Sequence, residues 1–570
     1  MQMILTPSYE DIFDGPIPKL EDILKRTSTA ILIELIAYID AQLYPNATWN
    51  KQVNILTHYL SRQPVNLRNE IYTKFDLFKF KNGNNEISIF SRIYLKHFLH
   101  AVLLNDNNLF ADDTSPEQEL EFLKAYLLIQ SDQNNLATAR DQVERQSSNG
   151  DFFPIHTWPI LINQFDIQII VNPIYNLIKG VCFLNYLQFH SNYSKYVTAF
   201  LNKNNKPNSW EYLMTIFGLL KKTLKNKKGD INNYFFNCAK ELQPLFNHLT
   251  LTVDEYNRKL SCKKENFSLL KAKPIMKHGE RYIVLDWNLL MNKIYDGLIF
   301  DFYNTSGIKT NQDFDTLPNF KKFIGNAITE KFLFQRILNN ILDKKHCKLN
   351  LPTTDNNGEP DGYFRQNSSI VLFEIKDAFF PASAIKSSTY QDIKNAIDLK
   401  YNNKKKGIAQ IIKQIQKLSQ SPFYFDDYKG KIKTKNLQLY PVMIYTDKNF
   451  GMPGVSNYLN NEFNLKLDSL NLRQNFKKIQ NLTFIDLDIF IRYNKYLKNN
   501  DFIQIINRLH SELKKRKRNS LRGKQLQDFL DFNESQDQIF QELNRMKREK
   551  EHNLRELIEL LELTEGLPKN

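Results

Sequence analysis

Cysteine is scarce in this chain. Four residues in 570, Cys182, Cys238, Cys262 and Cys347, include no C-x-x-C pair and match no zinc-ligand spacing. A disulfide scaffold and a structural zinc site are therefore not expected, and the thiols read as reduced and mostly buried. The opening stretch, Met1 to Pro7, has no basic segment followed by an apolar one, so no secretory signal is expected. The most apolar window, Phe165 to Phe189, is broken by Asp166, Asn172, Pro173, Lys179 and Gly180. It fails the length test for a membrane span and reads as a buried helix or helix pair. No G-x-x-x-x-G-K-[ST] loop is present, which argues against nucleotide hydrolysis. Internal repeats and sequence-specific DNA-binding motifs are also lacking. These absences together point to a cytoplasmic protein with no membrane contact.

What is present is a globular composition, with 42% hydrophobic and 13% aromatic residues. The length calls for more than one domain. The formal charge of +15 favours an anionic partner such as nucleic acid. Lys, Asn, Ile and Phe are abundant throughout, as in an AT-biased genome, and part of the excess charge has that origin.

Apolar spacing divides the chain into three. Residues 1–265 read as helical, with helical periodicity over Ile31–Ala37, Ile93–Leu104, Glu117–Gln130 and Trp210–Leu224 and polar loops such as Asn105–Pro116 between them. Residues 266–490 read as an α/β unit. It holds a hairpin around His278-Gly279-Glu280, helices over Trp287–Phe300 and Phe320–Leu342, and strands over Cys347–Leu351, Ser368–Lys376, Leu437–Thr446 and Leu482–Leu487. A helix over Gly407–Leu418 separates the middle strands. Residues 491–570 read as a basic helical tail. It contains the run Lys514 to Lys524 and a last helix over Gln536–Leu563, expected to pack on the body or on a partner.

The chemistry concentrates at Pro360-Asp361-Gly362 and Glu374-Ile375-Lys376. Residues two apart on a strand share a face, so Glu374 and Lys376 point together while Phe373 and Ile375 point oppositely. If the strands of Asp361 and Glu374 are neighbours, two carboxylates converge on one point. The Ile375 carbonyl and the Lys376 ammonium lie beside it. Mg²⁺ takes one or two carboxylates plus waters and substrate phosphate, and Lys376 would orient or activate the attacking water. Glu330 on the preceding helix would add an acid on the outer side. The plain alternatives are a solvated Glu374–Lys376 pair worth ~0–1 kcal/mol, a β-turn at Pro360-Asp361-Gly362, and an exposed helical carboxylate at Glu330.

These residues resemble the PD-(D/E)XK nuclease superfamily, with its restriction-endonuclease-like fold, over roughly residues 270–490. The match lies in the Glu330 helix, Pro360-Asp361, Glu374-Ile375-Lys376 and the following helix with Gln410, where Gln414 stands one turn later. The resemblance implies a mixed sheet flanked by helices, with Asp361, Glu374 and Ile375 holding Mg²⁺, for which Mn²⁺ would substitute. It further implies Lys376, Glu330 and Gln410 as catalytic residues, a DNA substrate, and association with prokaryotic defence or restriction. Lys404-Lys405-Lys406 would lie where the nucleic-acid backbone passes. Cutting both strands would favour a homodimer. The N-terminal half would sense a signal or bind a protein partner.

Two other classes stay open. Arg92 and His97 have the R-x-x-x-x-H spacing of HEPN-type ribonucleases, with His97 as general base and Arg92 on the phosphate. Ile93 departs from that family's polar residue, and the bland alternative is a surface Arg beside a half-buried His. The third class is a catalytically inactive protein that binds nucleic acid or a partner.

Overall fold

The computed structural model describes residues 5–44, 47–82, 87–107, 115–147, 152–224, 234–259, 267–352, 358–426, 428, 432–522, 526–545 and 558–559. Cys262, Lys524, the centre of the Asn105–Pro116 loop, the 265/266 boundary and nearly all of the last helix beyond Arg545 lie outside these residues. The described chain is mainly helical, with two sheets of four and six strands. No helix among the described residues is long and apolar enough to cross a membrane.

The smaller sheet contains β1 (Phe235–Asn237), β2 (Thr250–Leu251), β3 (Ile275–His278) and β4 (Arg281–Val284), in the order β1-β4-β3-β2. The hairpin expected around Gly279 is the antiparallel pair β3–β4. Its partners were not expected: β1 and β2 fall in the stretch read as helical. They are two or three residues long, too short for period-2 alternation to register. The sheet separates two cores. Ile275, Tyr282 and Val284 face one, and Met276, Ile283 and Leu285 face a second built from the N-terminal helices.

The larger sheet contains β5 (Cys347–Asn350), β6 (Gly362–Gln366), β7 (Ser369–Lys376), β8 (Gln438–Tyr445), β9 (Lys478–Ile479) and β10 (Thr483–Asp486). Its order is β10-β8-β7-β6-β5, with β9 also on β8. β5, β6 and β7 form an antiparallel meander, whereas β7, β8 and β10 run parallel. Both faces of β7 are buried, which explains its near-continuous apolar run. Val371, Phe373 and Ile375 enter the first core, while Ile370 and Leu372 enter a third core under the Ile408–Gln420 helix.

The helix expected over Trp287–Phe300 is two helices, Trp287–Asn292 and Asp296–Thr305. The helical run expected over Phe320–Leu342 is present, but Ile324–Phe334 in its middle is wound as a π-helix. The Gln536–Arg545 helix packs on the body. Its Gln536 and Asp537 side chains accept from the Phe484 and Asp486 N–H groups at 3.0 and 2.7 Å. They thereby satisfy donors of β10 at the edge of the sheet.

Candidate active site

The last pair of the β6–β7 ladder is Gly362 with Phe373, while β7 continues on β8 to Lys376. Past Phe373 the β6-facing edge of β7 therefore has no strand partner. The Asp361 carboxylate fills that place: its Oδ2 accepts from the Ile375 N–H at 2.8 Å. The Ile375 carbonyl leaves the strand from the same edge as its N–H. Pro360-Asp361-Gly362 is thus a strand entry rather than an exposed turn. Gly362 is needed for packing: a Cβ there would stand 2.7 Å from Leu338 Cδ1.

Glu374 is fully buried, which excludes a solvated ion pair. Its Oε1 accepts from Lys376 Nζ, and its Oε2 accepts from Gln414 Nε2 at 3.1 Å. Gln414 also donates to the Glu359 carbonyl at 3.3 Å. One amide therefore spans the strand bearing Glu374 and the turn leading into Asp361. Burial, then the Glu374 charge, hold the Asp361 pKa well above the ordinary carboxylate range, with Glu330 adding to the effect. Lys376 is opposite in sense. Burial works to lower its pKa, but Glu374, Asp361 and Glu330 outweigh it, and the value is raised. Lys376 is therefore an ammonium in this arrangement.

Two neighbouring buried acids, with burial and then the Glu374 charge raising the Asp361 pKa, fit a divalent cation: its positive charge would favour the Asp361 carboxylate. Each Glu374 oxygen keeps a free lone pair beyond its hydrogen bond. No group of three or more His, Cys, Asp or Glu among the described residues is placed to hold a metal ion. The donor set is then Asp361, Glu374 and the Ile375 carbonyl, a sparse set of the kind Mg²⁺ tolerates because it retains waters. Glu330, in the π-helical segment, acts electrostatically on Asp361 and Lys376 without completing a three-acid cluster.

Gln410 is not at this site. It is the third residue of its helix, and its Oε1 accepts from the Gly407 N–H at 3.0 Å, as a Glu or Gln does in a capping box. Gln414, one turn on, holds that place. The signal was in the sequence: Gln414 shares the inward stripe of Ile411, Ile415 and Leu418.

Asp377 was not anticipated. It is buried, and its carboxylate takes the Lys321 ammonium and the Thr329 and Thr446 hydroxyls at 2.6–2.7 Å. Lys404, Lys405 and Lys406 are exposed in the loop before the Gln414 helix.

The R-x-x-x-x-H pair does not form a site. Arg92 is buried, pairing with Asp40 at 3.2 Å and Asp286 at 2.7 Å. Lys96 joins the same two acids at 2.8 and 3.0 Å. Burial works to lower the Arg92 pKa, and the two carboxylates overcome it. The His97 ring meets Phe267 edge-on at 5.1 Å. In the C-terminal basic run, Arg516 is taken by Glu512, Glu534 and Glu542, while Lys514, Lys515, Lys517 and Arg518 are exposed.

Compared with protein families, with curated proteins and with solved structures, the chain matches none.

Proposed function

We propose that this protein is a divalent-metal-dependent nuclease of the PD-(D/E)XK type that hydrolyses phosphodiester bonds, with DNA as substrate. The observation that carries the reading is the junction at the end of β6, where Asp361, Glu374, the Ile375 carbonyl and Lys376 converge. Mg²⁺, or Mn²⁺ in its place, would be held by Asp361, Glu374 and the Ile375 carbonyl, and when bound supplies Lewis-acid polarisation of the scissile phosphate.

The chain's own residues do the rest. Asp361 positions its second oxygen by spending the first on the Ile375 N–H. Lys376, fixed as an ammonium by Glu374, orients the attacking water and stabilises the charge developing on the phosphoryl oxygens. Gln414 holds Glu374 in one rotamer against the Glu359 carbonyl. Lys404–Lys406 and the net charge of +15 attract the phosphate backbone without reading its sequence. Cleavage of both strands would favour a homodimer, which brings two such centres together. The N-terminal layer is the part available for a protein partner or activating signal.

The test is cleavage of supercoiled plasmid and of RNA by purified protein, with Mg²⁺, Mn²⁺ or EDTA. Plasmid cleavage that needs the metal and disappears in Asp361→Ala and Lys376→Ala is expected. Cleavage that persists in EDTA, or that survives both substitutions, would sink the proposal.

A further inference from the structure

Directly after Lys376 the chain places a further acid, Asp377, whose carboxylate hydrogen-bonds to none of the residues assigned to the metal. The Asp377 side chain is 2% exposed. Its Oδ1 accepts from Lys321 Nζ at 2.7 Å and from Thr446 Oγ1 at 2.6 Å; its Oδ2 accepts from Thr329 Oγ1 at 2.6 Å. The three donors belong to three elements. Lys321 lies in the Leu317–Phe323 helix, Thr329 in the π-helical segment, and Thr446 just past the end of β8.

Each of these places bears on the candidate centre. Thr329 immediately precedes Glu330 in the chain. Thr446 follows Tyr445, the register partner of Lys376. The helical run also passes close over the strand end: a Cβ on Gly325 would stand 3.2 Å from the Asp377 carbonyl oxygen. A π-helical winding displaces the residues beyond it relative to an α-helix and tends to occur where a side chain must be re-aimed. Thr329 and Glu330 lie within this winding, and the Asp377 carboxylate holds the first of them.

We propose that Asp377 is a positioning residue. By tying the π-helical segment to the exit of β7, it sets where Glu330 stands relative to Asp361, Glu374 and Lys376, and so sets divalent-cation affinity. The proposal rests on the nuclease reading. A carboxylate suits the task because it is acceptor-only and can take all three donors at once. An asparagine offers one acceptor oxygen, and its amide group would face a lysine or a hydroxyl.

The experiment is Mn²⁺ binding, followed by electron paramagnetic resonance and calorimetry on the full chain, so that no activity is needed. Four variants are compared with the parent: Asp377→Asn, Thr329→Val, Glu330→Gln and the double variant Asp377→Asn/Glu330→Gln. Perturbing an outer partner of a metal site typically costs 10–100-fold in affinity. Asp377→Asn and Thr329→Val should each weaken Mn²⁺ binding by about tenfold. Thr329→Val is close to isosteric and keeps the readout open should Asp377→Asn fold poorly. Because Asp377 acts through Glu330, the double variant should bind no more weakly than Glu330→Gln alone. Parent-like affinity, within twofold, in both Asp377→Asn and Thr329→Val overturns the positioning role, as does full additivity in the double variant. If the parent chain shows no Mn²⁺ binding that Asp361→Ala abolishes, the metal-site reading falls, and the positioning role with it.

Discussion

Lys96→Met probes the charge cluster that removes Arg92 from catalysis. Lys96 is fully buried, and its ammonium meets Asp40 at 2.8 Å, the Leu285 carbonyl at 2.9 Å and Asp286 at 3.0 Å. Methionine keeps the length and apolar contacts of the stem, so the perturbation is the loss of one cation. Two buried carboxylates then face Arg92 alone. Removing one partner of a buried pair costs about 3–5 kcal/mol, because it strands the other charge. The alternative is for Asp286 to take up a proton. In the parent chain burial works to raise the Asp286 pKa, but Arg92 and Lys96 outweigh it and hold the value below the ordinary range. Without Lys96 that restraint weakens. Protonating an aspartate of ordinary pKa at pH 7 costs about 4 kcal/mol. The two routes agree, and the expected loss at pH 7 is about 4 kcal/mol.

The sign of the pH dependence is a second check. Removing Lys96 should shift the folded pKa of Asp286 upward, and once it exceeds the unfolded value near 4 the burial of Asp286 costs nothing below that value and costs more as pH rises. The deficit should shrink by about 1.4 kcal/mol per pH unit on going from 7 towards 5. Urea unfolding at pH 5, 6 and 7, followed through the transition that exposes the N-terminal core, measures both. A loss below about 1 kcal/mol at pH 7 would refute the reasoning, as would a deficit that does not change with pH. Either would mean that the cluster is hydrated enough for Arg92 to be free for other work.

Three further outcomes are expected. Gly362→Ala places a Cβ against Leu338 and should cost ~1–3 kcal/mol in thermal unfolding while lowering cleavage, because the strain sits beside Asp361. Gln414→Ala should reduce the cleavage rate by tenfold or more with little change in substrate KM, whereas Gln410→Ala should only lose a cap, about 0.5–1 kcal/mol of stability; the reverse ranking would restore Gln410 as the site residue. Burial and the Asp486 charge push Asp537 up to about 7, so the folded chain holds a proton there that the unfolded chain releases above pH 4. Its stabilising share is then complete below pH 4 and lost as pH rises to 7; Asp537→Asn should gain in Tm over the parent as pH climbs from 5 to 8, and a constant offset would refute this.

The large sheet was readable because β7 and β8 are eight-residue strands made mostly of apolar residues, long enough to carry a signal. β1 and β2 exist only because β3 and β4 offer them edges, and nothing local in two or three residues announces that. The E-x-K strand and its leading acids were legible as spacing; of the two helical glutamines, Gln414 rather than Gln410 reaches Glu374. Family habit points at a residue near the start of the helix. Helix geometry decides instead: position three caps, and the polar residue on the inward stripe reaches the sheet. Arg92 and Lys96 carried a signal too. Two cations four apart at the start of the Arg92–Leu104 helix, which holds no acid, must find their counter-charges elsewhere in the fold. Asp40 and Asp286 are those charges, 194 residues from Arg92 in the latter case.

The proline of the Pro360-Asp361 pair has a physical reason to precede the acid. Proline has no N–H and cannot extend a ladder, so β6 stops at Gly362 while β7 runs on for three residues with β8 alone. That mismatch leaves the Ile375 N–H without a strand partner inside the protein, an arrangement that costs free energy unless something accepts from it. The residue adjoining the proline is the one close enough to do so, and an aspartate does it with one of its two oxygens. The acceptor thereby fixes its own position to the strand that carries Glu374 and Lys376. Asp361→Asn should keep the fold, its amide oxygen still accepting from Ile375, while losing the metal. An Asp361→Asn variant that unfolds instead would show that the carboxylate's charge, rather than its acceptor oxygen, closes the end of the sheet.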